Sequence, residues 1–446
     1  MKLFDVIFQT AMWRSVFKGD DSHGVARRYL LFSTMAQAAV SGLTTGVFYS
    51  GYLSSYGINI VGISILTLLP HFSSLFSLLA PIILERVERR RLILTVLRGL
   101  YYVTNILGTS LLPLIITGEQ ARMMGLIFIV LLSNMFNALT LPGYSAWHMP
   151  YVDKFERSGY FTATTLVSTA FSGFFAVAAG FVTDLITGSA RLTVFLACRC
   201  LAFFVALLDI YFMQKPPEPV YQHSYRKRPS LVQVLVMPLR CRRFALAMGV
   251  HFMVTLISNL INSVIDTWLV QDVRVRYSFI SAVNLSKVLF ILPTSVIWRK
   301  VMKKKGTFST LSISIGFSIP ALFLHAFMTH ENYLIIMLLV KLIQNFLSLG
   351  SSISEANLIY LSTPEKDQIC YLSFYQILTH AASLLGMSIG TWVVAAMGKL
   401  VLFICGFSFT SVPVLLLSQG VLYLLLIPYM LRTGRELEPE YSSCSR

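Results

Sequence analysis

Residues 81–94 read PIILERVERRRLIL, with four arginines and two glutamates in seven consecutive positions. Long, mostly apolar runs lie on both sides. A second basic cluster, WRKVMKKKGTF at 298–308, stands between apolar runs in the other half of the chain. Charge clusters that punctuate long apolar runs are the pattern of a chain that crosses a bilayer repeatedly. The runs lie in hydrocarbon and the charges mark the aqueous ends.

Composition agrees. The 446 residues are 55% hydrophobic and only 13% charged, with a mean hydropathy of +0.69. A soluble domain carries about 25% charged residues. With 32 Phe and 20 Tyr, much of the apolar surface must face lipid. The runs give twelve expected spans, near 28–54, 58–84, 92–115, 123–146, 162–186, 192–214, 244–270, 278–298, 308–328, 333–355, 371–396 and 404–431. Each is near the roughly 20 residues that a helix needs to cross the hydrocarbon. They are too long and too continuously apolar for barrel strands, so the fold class is an all-α membrane protein.

With the N-terminus inside, the charges sort themselves. Of the 36 Lys and Arg, only Arg122, Arg191, Arg274, Arg276 and Lys399 fall outside. Arg98, Arg199, Lys287 and Lys341 fall well within spans, and nearly all the rest are cytoplasmic. That is the positive-inside pattern. It accounts for the net charge of +16 without nucleic acid, for which no motif is present. Both termini are expected in the cytoplasm. Residues 1–27 include an amphipathic segment, MKLFDVIFQTAMWRSVFKG, expected to lie at the membrane interface. The cysteines 198, 200, 241, 370, 405 and 444 lie in spans or inside, so a disulfide framework or zinc site is not expected.

The chain repeats. Its central stretch, 215–243, is polar, basic and proline-rich, and it separates a six-span bundle at 28–214 from another at 244–431. A cytoplasmic tail, 432–446, follows. DKFERSGYFT after the fourth span aligns with TPEKDQICYLS after the tenth, matching Glu156 with Asp367, Tyr160 with Tyr371 and Thr162 with Ser373. Small residues recur at Ser172, Ala176 and Gly180 in the fifth span. They recur again at Ala382, Gly386 and Gly390 in the eleventh. Such small-xxx-small faces let helices approach closely in lipid.

Over nearly its full length the chain resembles a major facilitator superfamily transporter of bacterial type. That family has two pseudo-symmetric six-helix bundles and a charged motif after the second helix, roughly G-x-x-x-D-R-x-G-R-R. Here Pro81, Glu85, Arg86, Glu88, Arg89 and Arg90 occupy those places, with Pro81 and Glu88 for the glycines and Glu85 for the aspartate. The resemblance implies that Glu85, Arg86, Arg89 and Arg90 form a cytoplasmic gate when the cavity faces out. PGYSAWHMPYVDKFERSGYF, 142–161, resembles the loop after the fourth helix, with Arg157 and Gly159 as its arginine-glycine pair. The resemblance also implies a location in the bacterial inner membrane.

Polar stripes point independently to a transport path. In the seventh span His251, Thr255, Asn259, Asn262 and Asp266 share a helical face, and in the tenth Lys341, Gln344 or Asn345, Ser348, Ser352 and Glu355 do so. The fourth carries Asn134, Asn137, Thr140 and Tyr144, and the first carries Ser33, Gln37 and Ser41 with Thr44 or Thr45. Every third span is thus striped, as in a shared water-filled cavity between two repeats. In the resembled family the same four helices line the central cavity.

The expected cavity residues are Gln37, Asn134, Asn137, Asn259, Asn262, Asp266, Lys287, Lys341 and Asn345. A lysine at mid-bilayer costs roughly 2.5–3.5 kcal/mol. Lys287 and Lys341 lie at similar depth and would favour an anionic ligand, or pair with Asp266. Arg98 and Arg199 are expected to snorkel toward the nearer interface. His71, His251 and His380 lie within spans, where histidine packs by hydrogen bonds or relays protons.

No acidic residue lies mid-way in the first or fourth span, no Gly-Pro dipeptide occurs, and there is no GxxxxGK[ST] loop for ATP. HExxH is also absent, so no enzyme and no cofactor is expected. The expectation is a monomeric secondary transporter of a small organic solute, anionic by its lysines, driven by alternating access with or without a coupled proton or sodium ion. A drug or metabolite exporter, a lipid flippase and a transporter-like ligand sensor stay open as alternatives.

Overall fold

The computed structural model describes residues 22–78, 90–148, 151, 157–188, 190–217, 231–362, 368–398, 400–404 and 407–438. The amphipathic segment before Ser22, the gate residues Glu85, Arg86 and Arg89, and the tail beyond Glu438 lie outside them.

The elements follow in chain order. The first half holds α1 (Ser22–Thr44), α2 (Val47–Ser54), α3 (Ile60–Ser74), α4 (Arg90–Tyr102), α5 (Thr109–Ile115), α6 (Glu119–His148), α7 (Arg157–Leu185) and α8 (Ala190–Gln214). Then come α9 (Leu231–Arg240), α10 (Arg242–Ser258), α11 (Ile265–Gln271), α12 (Tyr277–Leu285), α13 (Lys287–Lys305) and α14 (Thr307–Ala326). The last are α15 (Tyr333–Ser362), α16 (Gln368–Met397), a hairpin of β1 (Leu402–Ile404) with β2 (Phe407–Phe409), and α17 (Ser411–Leu437).

The chain is a multi-pass helical membrane protein. Among the described residues ten helices are long and apolar enough to cross a bilayer. A bent pair, Tyr277–Ile291 and Pro293–Lys305, makes an eleventh, its pieces meeting at 56°. Pro293 cannot donate a backbone hydrogen bond and its ring crowds the preceding turn, which accounts for the bend. Large side chains such as Phe128, Phe174, Leu289, Trp392 and Leu425 lie open on the surface at 65–75% exposure, as lipid contact requires.

The twelve continuous spans of the sequence reading are corrected at the seventh. Residues 244–270 are not one helix, because α10 ends at Ser258 and α11 begins at Ile265. The Asn259 amide bonds back to the Thr255 carbonyl at 2.8 Å, and its side-chain oxygen accepts from the Asn262 amide at 2.8 Å. Short amide side chains compete with the helix in this way. Freed backbone in lipid needs partners, and Gln419 on α17 donates to the Ile257 and Ser258 carbonyls at 3.0 and 3.4 Å, while side chains of the break bond to α16. Asn259 donates to Ser383 at 3.3 Å, while Ser263 bonds Thr391 at 3.1 Å and the Met387 carbonyl at 3.3 Å. Within the stretch 215–243, LVQVLVMPLR forms α9.

The chain divides into two compact units. The first comprises residues 1–58, 73–225 and 276–285, the second 59–72, 226–275 and 286–446. Within the first, α1 packs on α7 and α8, and α7 also packs on α12. A Cβ at Gly42 would stand 2.3 Å from the Ser172 carbonyl oxygen, so glycine permits the α1–α7 crossing. Asp184, near the end of α7, accepts from the Tyr277 and Ser278 amides at 3.0 and 2.9 Å and from the Ser278 hydroxyl at 2.5 Å. It thereby caps α12, where a carboxylate also meets the positive end of the helix dipole. Asp184→Ala is expected to lower stability by about 1–2 kcal/mol, read by thermal unfolding against Asp184→Asn, which keeps part of the cap.

Within the second unit α10 packs on α16 in the corresponding way. A Cβ at Gly386 would lie 2.3 Å from the Leu256 carbonyl oxygen, and one at Gly390 only 1.8 Å from that of Leu260. The small-residue faces read from the sequence are therefore sites of backbone contact. Gly390→Ala must push the broken seventh span aside, and overpacking of that kind costs about 1–3 kcal/mol. Gly249→Ala, whose Cβ would meet only the Tyr429 hydroxyl at 3.4 Å, is the matched control and should shift the melting temperature little.

Candidate substrate-binding faces of the two units

In the second unit the break in the seventh span sets out the polar groups. Asp266 stands in the first turn of α11, half-buried, and Asn262 is exposed within the break. On α15, Lys341 is half-buried and interacts electrostatically with both Asp266 and Lys287. His325 on α14 senses the same lysine. Lys287 opens α13 and is exposed. Beside it Asn345 donates to the Ser286 hydroxyl at 2.9 Å, which joins α15 to the start of α13. Residues from the seventh, eighth and tenth spans thus form one neighbourhood with two cations and one carboxylate. Among the described residues Asp266 and Lys341 make no close ion pair. The lysine ammonium therefore keeps donors for a ligand.

Further along the same stripes, His251 Nδ1 stands 3.6 Å from Glu355 Oε2. Its Nε2 meets the Thr379 hydroxyl at 2.9 Å, and its ring lies 4.6 Å from that of Tyr375. His251 is 1% exposed, a packing residue with one acidic neighbour. His71 and His380 interact electrostatically with each other.

In the first unit the stripes of the first and fourth spans meet, around a centre that the sequence reading missed. Arg98 on α4 and Asp209 on α8 form an ion pair at 3.1 Å, with side chains 2% and 1% exposed. Ser33 donates to the other oxygen of Asp209 at 2.5 Å, and the Tyr102 hydroxyl donates to the carboxylate as well. The Tyr144 hydroxyl joins Ser33 at 2.7 Å, and Asn137 Oδ1 accepts from Arg98 at 3.4 Å. The guanidinium also stands 5.2 Å from the Tyr102 ring centroid and 5.8 Å from that of Tyr144. Arg98 Nη2 is buried without a hydrogen-bond partner. The expected snorkelling of Arg98 is thus corrected, and so is that of Arg199, which is 4% exposed. A buried ion pair costs less than exposing either charge to lipid. Opposite charges at matching depth in two spans were the signal available in the sequence.

The other expected residues are placed as follows. Gln37 is half-buried on α1. Asn134 bonds within its own helix, to the Val130 carbonyl at 2.8 Å. Arg90 opens α4, and its side chain lies outside the description. Among the described residues no group of three or more His, Cys, Asp or Glu could hold a metal ion.

No protein-family profile matches the chain, and no curated protein matches it. Solved structures do. A mutant form of the nucleoside transporter NupG aligns with a TM-score of 0.69 at 12% identity, covering 92% of this chain and 99% of that one. A bacterial homologue of the iron transporter ferroportin, in an inward-facing state, aligns at 0.68 and 14% identity, covering 93% and 98%. A POT family transporter in complex with 5-aminolevulinic acid aligns at 0.66 and 12%, covering 96% and 100%. The chain therefore has the fold of these solved structures.

Proposed function

We propose that the chain is a secondary transporter, and not an enzyme, that carries a small organic solute with an anionic group by alternating access. The observation that carries this reading is the neighbourhood of Lys341, Lys287 and Asp266 beside the broken seventh span. Two cations and one carboxylate leave a net positive site, which an anionic group on the solute neutralises. Unwound backbone at membrane depth occurs where a helix lines a cavity or binding site, as in carriers with discontinuous helices. Asn259, Asn262 and Asn345 supply neutral donors and acceptors for the rest of the solute, and Gln37, Asn134 and Asn137 are the polar groups that the first unit, taken by itself, offers a solute. Glu85, Arg86, Arg89 and Arg90 act as the cytoplasmic gate. A co-transported proton or sodium ion supplies the drive. The protein works as a monomer in the inner membrane with both termini in the cytoplasm.

A thermal-shift screen of the purified protein tests the substrate class. A ligand at 100 times its Kd adds about 2.7 kcal/mol of stability. Stabilisation by organic anions, and not by organic cations or neutral drugs, is the expected result. Stabilisation confined to cations would overturn the anionic reading.

A further inference from the structure

A second buried arginine has an environment unlike that of Arg98. Arg199 lies on α8, nine residues on from Ala190, about 14 Å into the span at 1.5 Å per residue. It is 4% exposed. Its Nε donates to the Ser110 hydroxyl at 2.7 Å, and its Nη2 donates to the Asn105 carbonyl at 2.9 Å and to the Thr109 hydroxyl. Those acceptors are presented by a single π-helical stretch, Val103–Gly108, and the start of α5. The face of Tyr52 lies 4.7 Å from the guanidinium carbon. Tyr49, Tyr56 and Tyr101 are its other electrostatic neighbours.

Every one of these partners is neutral. Among the described residues no carboxylate pairs with Arg199, and Asp209 on the same helix is taken by Arg98. An arginine does not give up its proton in a protein, so its charge has to be compensated in place. The same neighbourhood holds a second deficit of the same sign. The Tyr49 hydroxyl is buried with no hydrogen-bond partner, and it is an electrostatic neighbour of Arg199. Tyr49, Tyr52 and Tyr56 follow at intervals of three and four along one stretch of chain, which places them on one side of it. Among the described residues Arg199 Nη1 also has no acceptor. The place thus offers a full positive charge and idle N–H and O–H donors, with no matching acceptor.

We infer that Arg199 and Tyr49 form a binding site for a small monovalent anion, a halide or a carboxylate group. The anion accepts from Arg199 Nη1 and the Tyr49 hydroxyl. It supplies the countercharge that the protein withholds, within the first unit.

The test uses the full-length purified protein and its thermal unfolding. Sodium chloride, sodium bromide and sodium acetate are titrated at constant ionic strength against sodium sulfate, whose divalent anion a single guanidinium does not match. Chloride or acetate is expected to raise the melting temperature saturably. Tyr49→Phe should raise the half-saturating concentration about tenfold, the loss of one hydrogen bond to a charged partner. Arg199→Gln should abolish the response. Tyr49→Phe leaves the other Arg199 contacts intact and decides the matter if Arg199→Gln does not fold. A bromide-soaked crystal should show its anomalous peak beside Arg199. A response to acetate alone assigns the site to carboxylates, and a response to halide alone assigns it to inorganic anions. Either supports it if the variants remove it. Equal melting in all salts, or the same response in wild type and Tyr49→Phe, would overturn the inference.

Discussion

Arg98→Met is expected to lower the unfolding free energy by about 3–5 kcal/mol, because it leaves Asp209 as an uncompensated buried charge. Asp209 is 1% exposed and also receives Ser33 at 2.5 Å, so it has no route to water. Asp209→Asn alone should cost a similar amount through the stranded guanidinium. The double variant Arg98→Met with Asp209→Asn should recover most of the loss, since a neutral amide can still accept from Ser33 and Tyr102. Unfolding of the three variants in one detergent forms the cycle. Additive losses would show that the pair does not hold the first unit together.

The second large effect concerns ligand affinity. Lys341→Met should weaken binding of an anionic substrate by at least about tenfold, the low end for a hydrogen bond to a charged group. Lys287→Met should act in the same direction but less strongly, because Lys287 is exposed and Lys341 half-buried. The double variant should abolish measurable binding, while Lys341→Met alone leaves the melting temperature of the ligand-free protein nearly unchanged. Lys341 has a like charge in Lys287 as well as an opposite one in Asp266, so removing it relieves repulsion as well as losing attraction. Near wild-type affinity in the double variant would remove both lysines from the site.

Much of the fold was legible because membrane physics acts locally along a chain. Apolar length marks the spans, and the arginines of residues 85–91 mark an aqueous end between two of them. Gly386 and Gly390 were readable as a close-packing face, and that face meets the carbonyls of Leu256 and Leu260. The break at Asn259 was not readable, because counting polar residues at helical spacing assumes the helix it is meant to find. The stripe nevertheless picked residues that stay together, since Asn262 still bonds Asn259 at 2.8 Å. Arg98 and Arg199 were misjudged for a different reason. Snorkelling treats a helix alone in lipid, whereas the partners of these arginines come from other helices. Asp209 lies 111 positions from Arg98, and Ser110 lies 89 from Arg199.

The central claim is transport by a two-bundle carrier, and counterflow in liposomes tests it most directly. Purified protein is placed in vesicles loaded with an anionic ligand found by thermal shift, and the same ligand, radiolabelled, is added outside at low concentration. The account predicts transient accumulation of label without ATP, absent from empty vesicles and from the Lys287→Met, Lys341→Met double variant. Tight binding of the ligand with no exchange across the membrane would contradict it, and would make the protein a sensor built on a transporter fold.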